Sequence, residues 1–154
     1  MPLLEIGVSG ATGQTAVQLD NGDTGLSRTY RARGIDFAWQ LGKQWDFRGE
    51  YIRQSVGSAT GDDIGGVPID NDGQVWSARY LQAAYKFMPK LEGVVRYSKF
   101  DSVEGSQWQK QSALGLNYWY ATNVVGKITY EFNQGRQNRD TDDNRLLLQL
   151  TYGF

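Results

Sequence analysis

Polar and apolar side chains alternate with a period of two along most of the chain, and this alternation limits the fold more than any other feature. Near the C-terminal end, Leu146, Leu148 and Leu150 alternate with Leu147, Gln149 and Thr151. An amphipathic helix needs apolar residues three and four positions apart, whereas alternation places one set on each face of a strand. The sequence therefore predicts strands, each carrying an apolar set and a polar set of side chains.

The alternation and the turn residues predict eight strands, over residues 3–13, 29–42, 44–56, 74–88, 90–100, 106–121, 123–134 and 145–154. Three connections are tight, near residues 42–43, 88–90 and 121–123. Four are long and rich in Gly, Asp and Asn, near residues 14–28, 57–73, 101–105 and 135–144. Short turns at one end and long loops at the other are typical of outer-membrane barrels. We expect one all-β domain over residues 1–154, an antiparallel up-and-down transmembrane β-barrel with short periplasmic turns and long extracellular loops.

The acidic residues follow the same division. Most of the 17 lie in or beside the long connections, and the six on predicted strands all belong to the polar set. Those six are Glu5, Asp36, Asp46, Glu50, Glu92 and Glu131. In a soluble protein the apolar set would form the core, whereas in a transmembrane barrel it would face lipid. Alternation alone does not decide between these arrangements.

Aromatic residues of the apolar set concentrate near the short turns, and their rings would suit a membrane–water interface. We expect them to form a girdle of Trp39, Trp45, Phe47, Tyr85, Phe87, Tyr118, Tyr120, Tyr152 and Phe154. Basic residues in the apolar set are confined to the long-loop half, where long side chains can reach an interface. We expect a lipopolysaccharide-facing ring of Arg31, Arg33, Arg53, Arg79, Lys99 and Lys110. Arg79 lies deepest, and a bulge near it would explain its position.

The polar set supplies the charged groups of the interior. Eight strands give a barrel that side chains just fill, and buried ions need partners. We therefore expect four bases to pair with four carboxylates, namely Arg48, Lys86, Arg96 and Lys127 with Asp36, Glu50, Glu92 and Glu131. The residues leave open whether this set seals the interior or lines a pore.

Composition removes many catalytic and binding chemistries. The chain has no cysteine and no histidine, so thiolate and imidazole ligands and the commonest general base are absent. The net charge of −1 gives no support for a nucleic-acid partner. We expect no enzyme activity, no cofactor and no metal site. The first six residues lack a basic segment and contain Glu5, so they are not a secretory signal peptide. Since an outer-membrane precursor carries one, we expect a mature form, an engineered form or a fragment.

Two other motifs are better explained as structural. The glycine-rich segment 6–14 has residues of a dinucleotide-binding loop, but that loop needs a helix after it and none is predicted. The acidic segments 70–73 and 140–144 offer oxygen ligands for a hard cation without the spacing of a calcium-binding loop. A strand end and two solvated loops are the preferred interpretations.

The C-terminal part of the chain resembles a porin family. Residues 114–124 and 127–130 resemble the penultimate hairpin of phosphate-selective porins of the O and P type, and residues 49–52 resemble an internal strand. Residues 146–154 resemble the outer-membrane insertion signal, with a terminal Phe154 and an aromatic residue two positions earlier. The resemblance covers residues 37–154. It implies a trimeric sixteen-stranded channel for anions or small solutes in the outer membrane, with the lipid bilayer and the outer-membrane assembly machinery as partners. The eight predicted strands are half of that number.

Three functions remain open from the sequence. The first is a porin-like barrel for passive diffusion of small solutes or ions, or a minimal barrel derived from such a porin, alone or as a homo-oligomer. The second is a sealed eight-stranded barrel whose long loops have a structural or adhesive role. The third is a soluble lipocalin-like calyx that binds an apolar ligand and needs the apolar set inside.

Overall fold

Eight antiparallel strands in sequence order form one sheet in the computed structural model, which describes residues 3–17, 26–57, 74–102, 108–136 and 144–153. They are β1 (Leu3–Val17), β2 (Leu26–Leu41), β3 (Trp45–Val56), β4 (Gln74–Met88), β5 (Leu91–Asp101), β6 (Trp108–Ala121), β7 (Val124–Arg136) and β8 (Arg145–Tyr152). All eight predicted strands are present. β1 and β2 extend farther towards their shared long connection than predicted.

The three short turns lie at one end of the sheet and are tied to the next strand along. Gly42 begins the first turn with a φ of 67°, a left-handed conformation that glycine adopts without steric cost. The carbonyl of Gln44 in that turn accepts a hydrogen bond from the backbone N–H of Lys86, at 2.8 Å. The carbonyl of Asn123 in the third turn accepts one from Gly153, also at 2.8 Å. These hydrogen bonds between turns and strands extend the backbone hydrogen-bond ladder of the sheet at its short-turn end.

The sheet is open, which corrects the expectation that an isolated chain closes into a barrel. Within the described residues β1 pairs with β2 alone and β8 pairs with β7 alone, so these two strands are the edges. Closure requires strand tilt and stagger that bring the two edges into register. That geometry depends on all seven pairings together, and the alternation of residues carries no information about it.

The register divides the side chains into two continuous faces. We call the face that carries Phe47, Leu114 and Leu148 the apolar face, and the face that carries Glu50 and Glu131 the polar face. Each predicted strand acid lies on the polar face, because directly opposed residues in neighbouring strands share a face. The division predicted from alternation is therefore confirmed across the whole sheet.

Neither face is covered by a second layer in the described part of the chain. Ala84, at 4% exposure, is its one buried hydrophobic residue, and no large side chain is fully buried. Twenty-nine large hydrophobic residues are exposed, and all but Leu3, Ile52, Phe100 and Leu147 lie on the apolar face. From Gln111 to Trp119 on β6 and from Lys127 to Asn133 on β7, the polar-face side chains are half-buried while their apolar-face neighbours are exposed. The polar face is therefore the more enclosed of the two.

Two register shifts occur beside short turns, at Lys86/Met88 in β4 and at Trp119/Ala121 in β6. Each leaves an additional aromatic residue on the apolar face, Phe87 or Tyr120, as a bulge does when one strand contributes an extra residue. The bulge predicted near Arg79 is wrong, because the pairing on both sides of that residue is continuous.

Aromatic rings of the apolar face lie over glycines of neighbouring strands. A Cβ built on Gly49 would meet the ring of Phe37 and, at 2.8 Å, the side chain of Leu81. A Cβ on Gly93 would be 2.7 Å from the ring of Phe87. A ring that covers a cross-strand glycine shields backbone that would otherwise be bare, which is a known way to stabilise strand glycines.

We predict that Gly49→Ala destabilises the folded protein. The added methyl would have to displace Phe37 or Leu81, and overpacking of this kind typically costs about 1–3 kcal/mol. Gly10→Ala is the matched control, since the nearest atom to its Cβ is 3.9 Å away, and its effect should stay within about 0.5 kcal/mol. The measurement is the free energy of unfolding in urea. Equal effects of the two substitutions would contradict the packing described for Gly49.

Candidate functional site

The eight charged residues predicted for the interior all lie on the polar face. In one cross-strand row, Arg48 is opposite Gln82, which is opposite Arg96. In another, Lys86 is opposite Glu92, and Asn117 follows next to Glu92 and opposite Lys127. The sequence therefore identified which charged groups share this face.

The predicted pairing among these eight residues is wrong. Within the described residues none of the four bases lies within 4.0 Å of the four carboxylates. Arg48 instead binds Asp46, two residues away on its own strand, with Nε to Oδ1 at 2.8 Å. Glu131 lies 3.9 Å from Arg145. The two pairs that do form join near neighbours, since Asp46 is two residues from Arg48 on the same face and Arg145 is directly opposite Glu131.

Three of the remaining six charged residues contact an aromatic ring or an amide. The guanidinium of Arg96 lies 4.3 Å from the ring centre of Tyr80, and Lys86 Nζ lies 5.6 Å from that of Trp119. Asn117 donates a hydrogen bond to Glu92 Oε1 at 2.9 Å. Cation–π contacts and amide donors stabilise charges without neutralising them. The polar face thus keeps accessible charged groups of both signs.

Uncharged hydrogen-bonding groups continue this polar surface towards the long-loop end. Gln111 Nε2 donates to Asn133 Oδ1 at 3.0 Å, and Ser98 donates to Gln111 Oε1 at 3.5 Å. Two cavities of about 750 and 320 Å³ lie along these strands. Arg96 and Gln111 contribute to both. The arrangement provides a hydrated surface that polar solutes or ions can contact.

The aromatic girdle predicted near the short turns forms a chain of ring contacts on the apolar face. Trp45 is central, stacked on Phe47 at 5.4 Å between ring centres and tilted against Tyr85 at 4.6 Å. Trp39 and Phe87 extend the chain at its two ends, and Tyr118 and Tyr120 form a separate pair at 4.9 Å. Tyr152 lies on the same face, and Phe154 lies outside the described residues.

The six basic residues predicted for the apolar face all lie there, in the half of the sheet next to the long connections. Arg33 is directly opposite Arg53, and Lys99 is directly opposite both Arg79 and Lys110. Like charges in direct cross-strand positions repel. The sequence located these residues, but only the register shows that they are neighbours.

The apolar face has a depression of about 510 Å³ between the rings of Trp45, Tyr85 and Phe87 and the leucines of β6. A ligand-binding calyx would enclose such a site. Here Leu114, Ile128 and Tyr130 in its wall are 54%, 43% and 39% exposed, so this surface is open.

Several expectations concern other parts of the chain or other chemistries. Residues 6–14 lie within β1, so the glycine-rich segment is a strand and not a dinucleotide-binding loop. Both acidic segments predicted as solvated loops, 70–73 and 140–144, lie outside the described residues except for Asn144. No group of three acidic side chains in the described ranges could hold a metal ion. The same ranges contain no helix long and apolar enough to cross a membrane.

Among the contacts that the sequence reasoning missed are two on β7. Tyr130 and Phe132 pack edge to face at 4.8 Å on β7, in the apolar set but farther from the short turns than the predicted girdle. Arg145 was not assigned a role although it is directly opposite Glu131. A long connection, and not a short turn, joins β7 to β8, so no turn length set the register from which the second contact could have been predicted.

We predict that Trp45→Leu lowers the free energy of unfolding by about 1–3 kcal/mol, because it removes two aromatic pairs worth roughly 0.5–1.5 kcal/mol each. Trp76→Leu is the matched control, since Trp76 lies on the polar face and has no ring contact within the described residues. Its effect should be smaller. Equal losses in urea unfolding would show that the ring contacts of Trp45 contribute nothing beyond apolar area.

Comparisons with protein-family models, with curated proteins and with solved structures gave no match for this chain. The resemblance of residues 37–154 to phosphate-selective porins therefore stays a prediction, and the functional argument depends on the two faces of the sheet.

Proposed function

We propose that the chain is a porin-like protein of the bacterial outer membrane, in which the apolar face contacts lipid and the polar face lines a path for small polar solutes or ions. The exposed apolar face carries this proposal. In water, the 25 exposed large hydrophobic residues of this face would leave most of the favourable burial energy unrealised, since each buried side chain contributes about 1.5–3 kcal/mol. A bilayer removes this surface from water without a second protein layer.

The dimensions of the uncharged surface support a membrane span. On β6 the apolar face carries no charged residue from Ser112 to Tyr120, and on β7 none from Val124 to Phe132. Each stretch has nine residues, and a tilted transmembrane strand needs roughly 9–11. Aromatic rings at the short-turn end and bases at the other end border this surface, as expected for two membrane interfaces.

A membrane cannot accommodate two unpaired strand edges, because lipid offers no hydrogen bonds to the backbone. The proposed state therefore pairs β1 with β8, either within one chain or between chains. An eight-stranded ring would leave little free lumen, and a larger assembly would leave an aqueous channel. The two polar-face cavities favour the open path over the sealed barrel.

We predict that the two faces differ in their contact with lipid. Of the five tryptophans, Trp45 lies on the apolar face and Trp119 on the polar face. Two variants, each keeping one of these and replacing the other four by Phe, should be refolded into vesicles. Brominated acyl chains should quench the fluorescence of Trp45 and leave Trp119 largely unaffected. Quenching of Trp119 alone, or full solubility without detergent, would contradict a lipid-facing apolar face and favour the calyx.

We predict steady single-channel conductance from detergent-refolded protein whose gel mobility shifts on heating. Arg96 lies on both polar-face cavities, so Arg96→Glu should move the reversal potential in a salt gradient towards cation selectivity. Lys43→Glu makes the same charge change in the first turn and should have a smaller effect. Silence from folded, inserted protein would contradict the pore and favour the sealed barrel. The particle mass, measured in parallel, gives the number of chains in the conducting state. It thereby shows whether β1 pairs with β8 within one chain or between chains.

A further inference from the structure

Five basic residues form a continuous stripe across the apolar face. We call Arg33, Arg53, Arg79, Lys99 and Lys110 the basic stripe. Arg33 faces Arg53 directly, and Arg79, Lys99 and Lys110 occupy consecutive cross-strand positions. Arg53 and Arg79 are diagonal neighbours, because Tyr51 is opposite Arg79. Strands lie about 4.8 Å apart, so the stripe spans roughly 19 Å from β2 to β6.

Little within the described residues neutralises the stripe. Lys99 Nζ lies 2.6 Å from Asp101, and Lys110 Nζ lies 4.7 Å from the ring centre of Trp108. Arg33, Arg53 and Arg79 have no acidic partner within 4.0 Å there. The strand acids of the sheet are otherwise on the opposite face. Directly opposed like charges are destabilising, so this arrangement is costly unless an anion covers it.

The surface next to the stripe is apolar. Four residues of the stripe have an apolar neighbour on the same face of their own strand, two positions closer to the short turns. These neighbours are Ile35 for Arg33, Tyr51 for Arg53, Leu81 for Arg79 and Tyr97 for Lys99. From there to the short turns, this face has no charged side chain in the described strands. A ligand that satisfies both surfaces has anionic groups beside long hydrocarbon chains.

We propose that the basic stripe binds the phosphate groups of lipopolysaccharide, with the acyl chains of the lipid against the adjoining apolar face. Arginine forms paired, charge-assisted hydrogen bonds with phosphate. A stripe over five strands is wide enough for more than one phosphate, which favours a headgroup that carries two. This inference rests on the proposed function, because it assigns the stripe to the outer leaflet.

The experiment measures lipid binding by the full chain, refolded in zwitterionic detergent, using isothermal titration calorimetry. The ligands are diphosphorylated lipid A, the same glycolipid without phosphates, and inorganic phosphate. The stripe variant is Arg33→Gln/Arg53→Gln/Arg79→Gln. The control is Arg48→Gln/Arg96→Gln/Lys127→Gln, which removes the same charge from the polar face. The variant Arg33→Lys/Arg53→Lys/Arg79→Lys keeps the charge without the paired hydrogen bonds.

We expect the phosphorylated lipid to bind roughly tenfold or more tightly than the dephosphorylated one, with the difference lost in the stripe variant and reduced by salt. The control should stay within about twofold, and the lysine variant should fall between. Equal losses in stripe and control variants would overturn the proposal, as would equally tight binding of inorganic phosphate. If the glutamine variant does not fold, unchanged lipid preference in the lysine variant overturns it.

Failure of this inference and failure of the proposed function give different results. Wild-type protein that inserts into zwitterionic vesicles and shows lipid quenching of Trp45, but has no preference for phosphorylated lipid, contradicts the stripe alone. Protein that does not insert into any vesicle contradicts the membrane span itself, and with it the stripe.

Discussion

The unbroken antiparallel register from β1 to β8 is the constraint on which every other feature of this molecule depends. Because paired residues share a face, seven consecutive pairings collect most of the large apolar residues of the eight strands on one side and the six predicted strand acids on the other. A shift of one residue in any pairing would move a strand's apolar set to the polar face. The ring contacts, the charged rows and the basic stripe all require this register.

The backbone ladder, and not a core, holds the described strands together. Only Ala84 is a buried hydrophobic residue there, and the ion pairs involve side chains exposed by 16–62%. Exposed ion pairs typically contribute about 0–1 kcal/mol. A sheet with so little buried surface needs a further source of stability. The proposed bilayer supplies it, since it covers the apolar face and strengthens the backbone hydrogen bonds by excluding water.

The two bulges and the rings over glycine determine how the apolar face packs near the short turns. Each bulge adds an aromatic residue, and Phe87 and Tyr120 then lie over Gly93 and Gly126. At both places a large ring therefore occupies the space above a glycine of the neighbouring strand. The polar face combines amides and charged groups with rings such as Tyr80 and Trp119, which suits a hydrated surface. The two faces differ in packing as well as in polarity.

The sequence by itself determined the number of strands, their approximate limits, the alternation of short and long connections, and the face on which the predicted charged and aromatic residues of the described strands lie. These are local properties, since side chains alternate along any strand and turn residues act over a few positions. Tertiary structure decided the partners: Arg48 with Asp46 and not a predicted carboxylate, Arg79 in line with Lys99 without a bulge, and two edges left open. Partners and closure depend on cross-strand register and on the accumulated tilt of eight strands, which residue spacing within a strand does not encode.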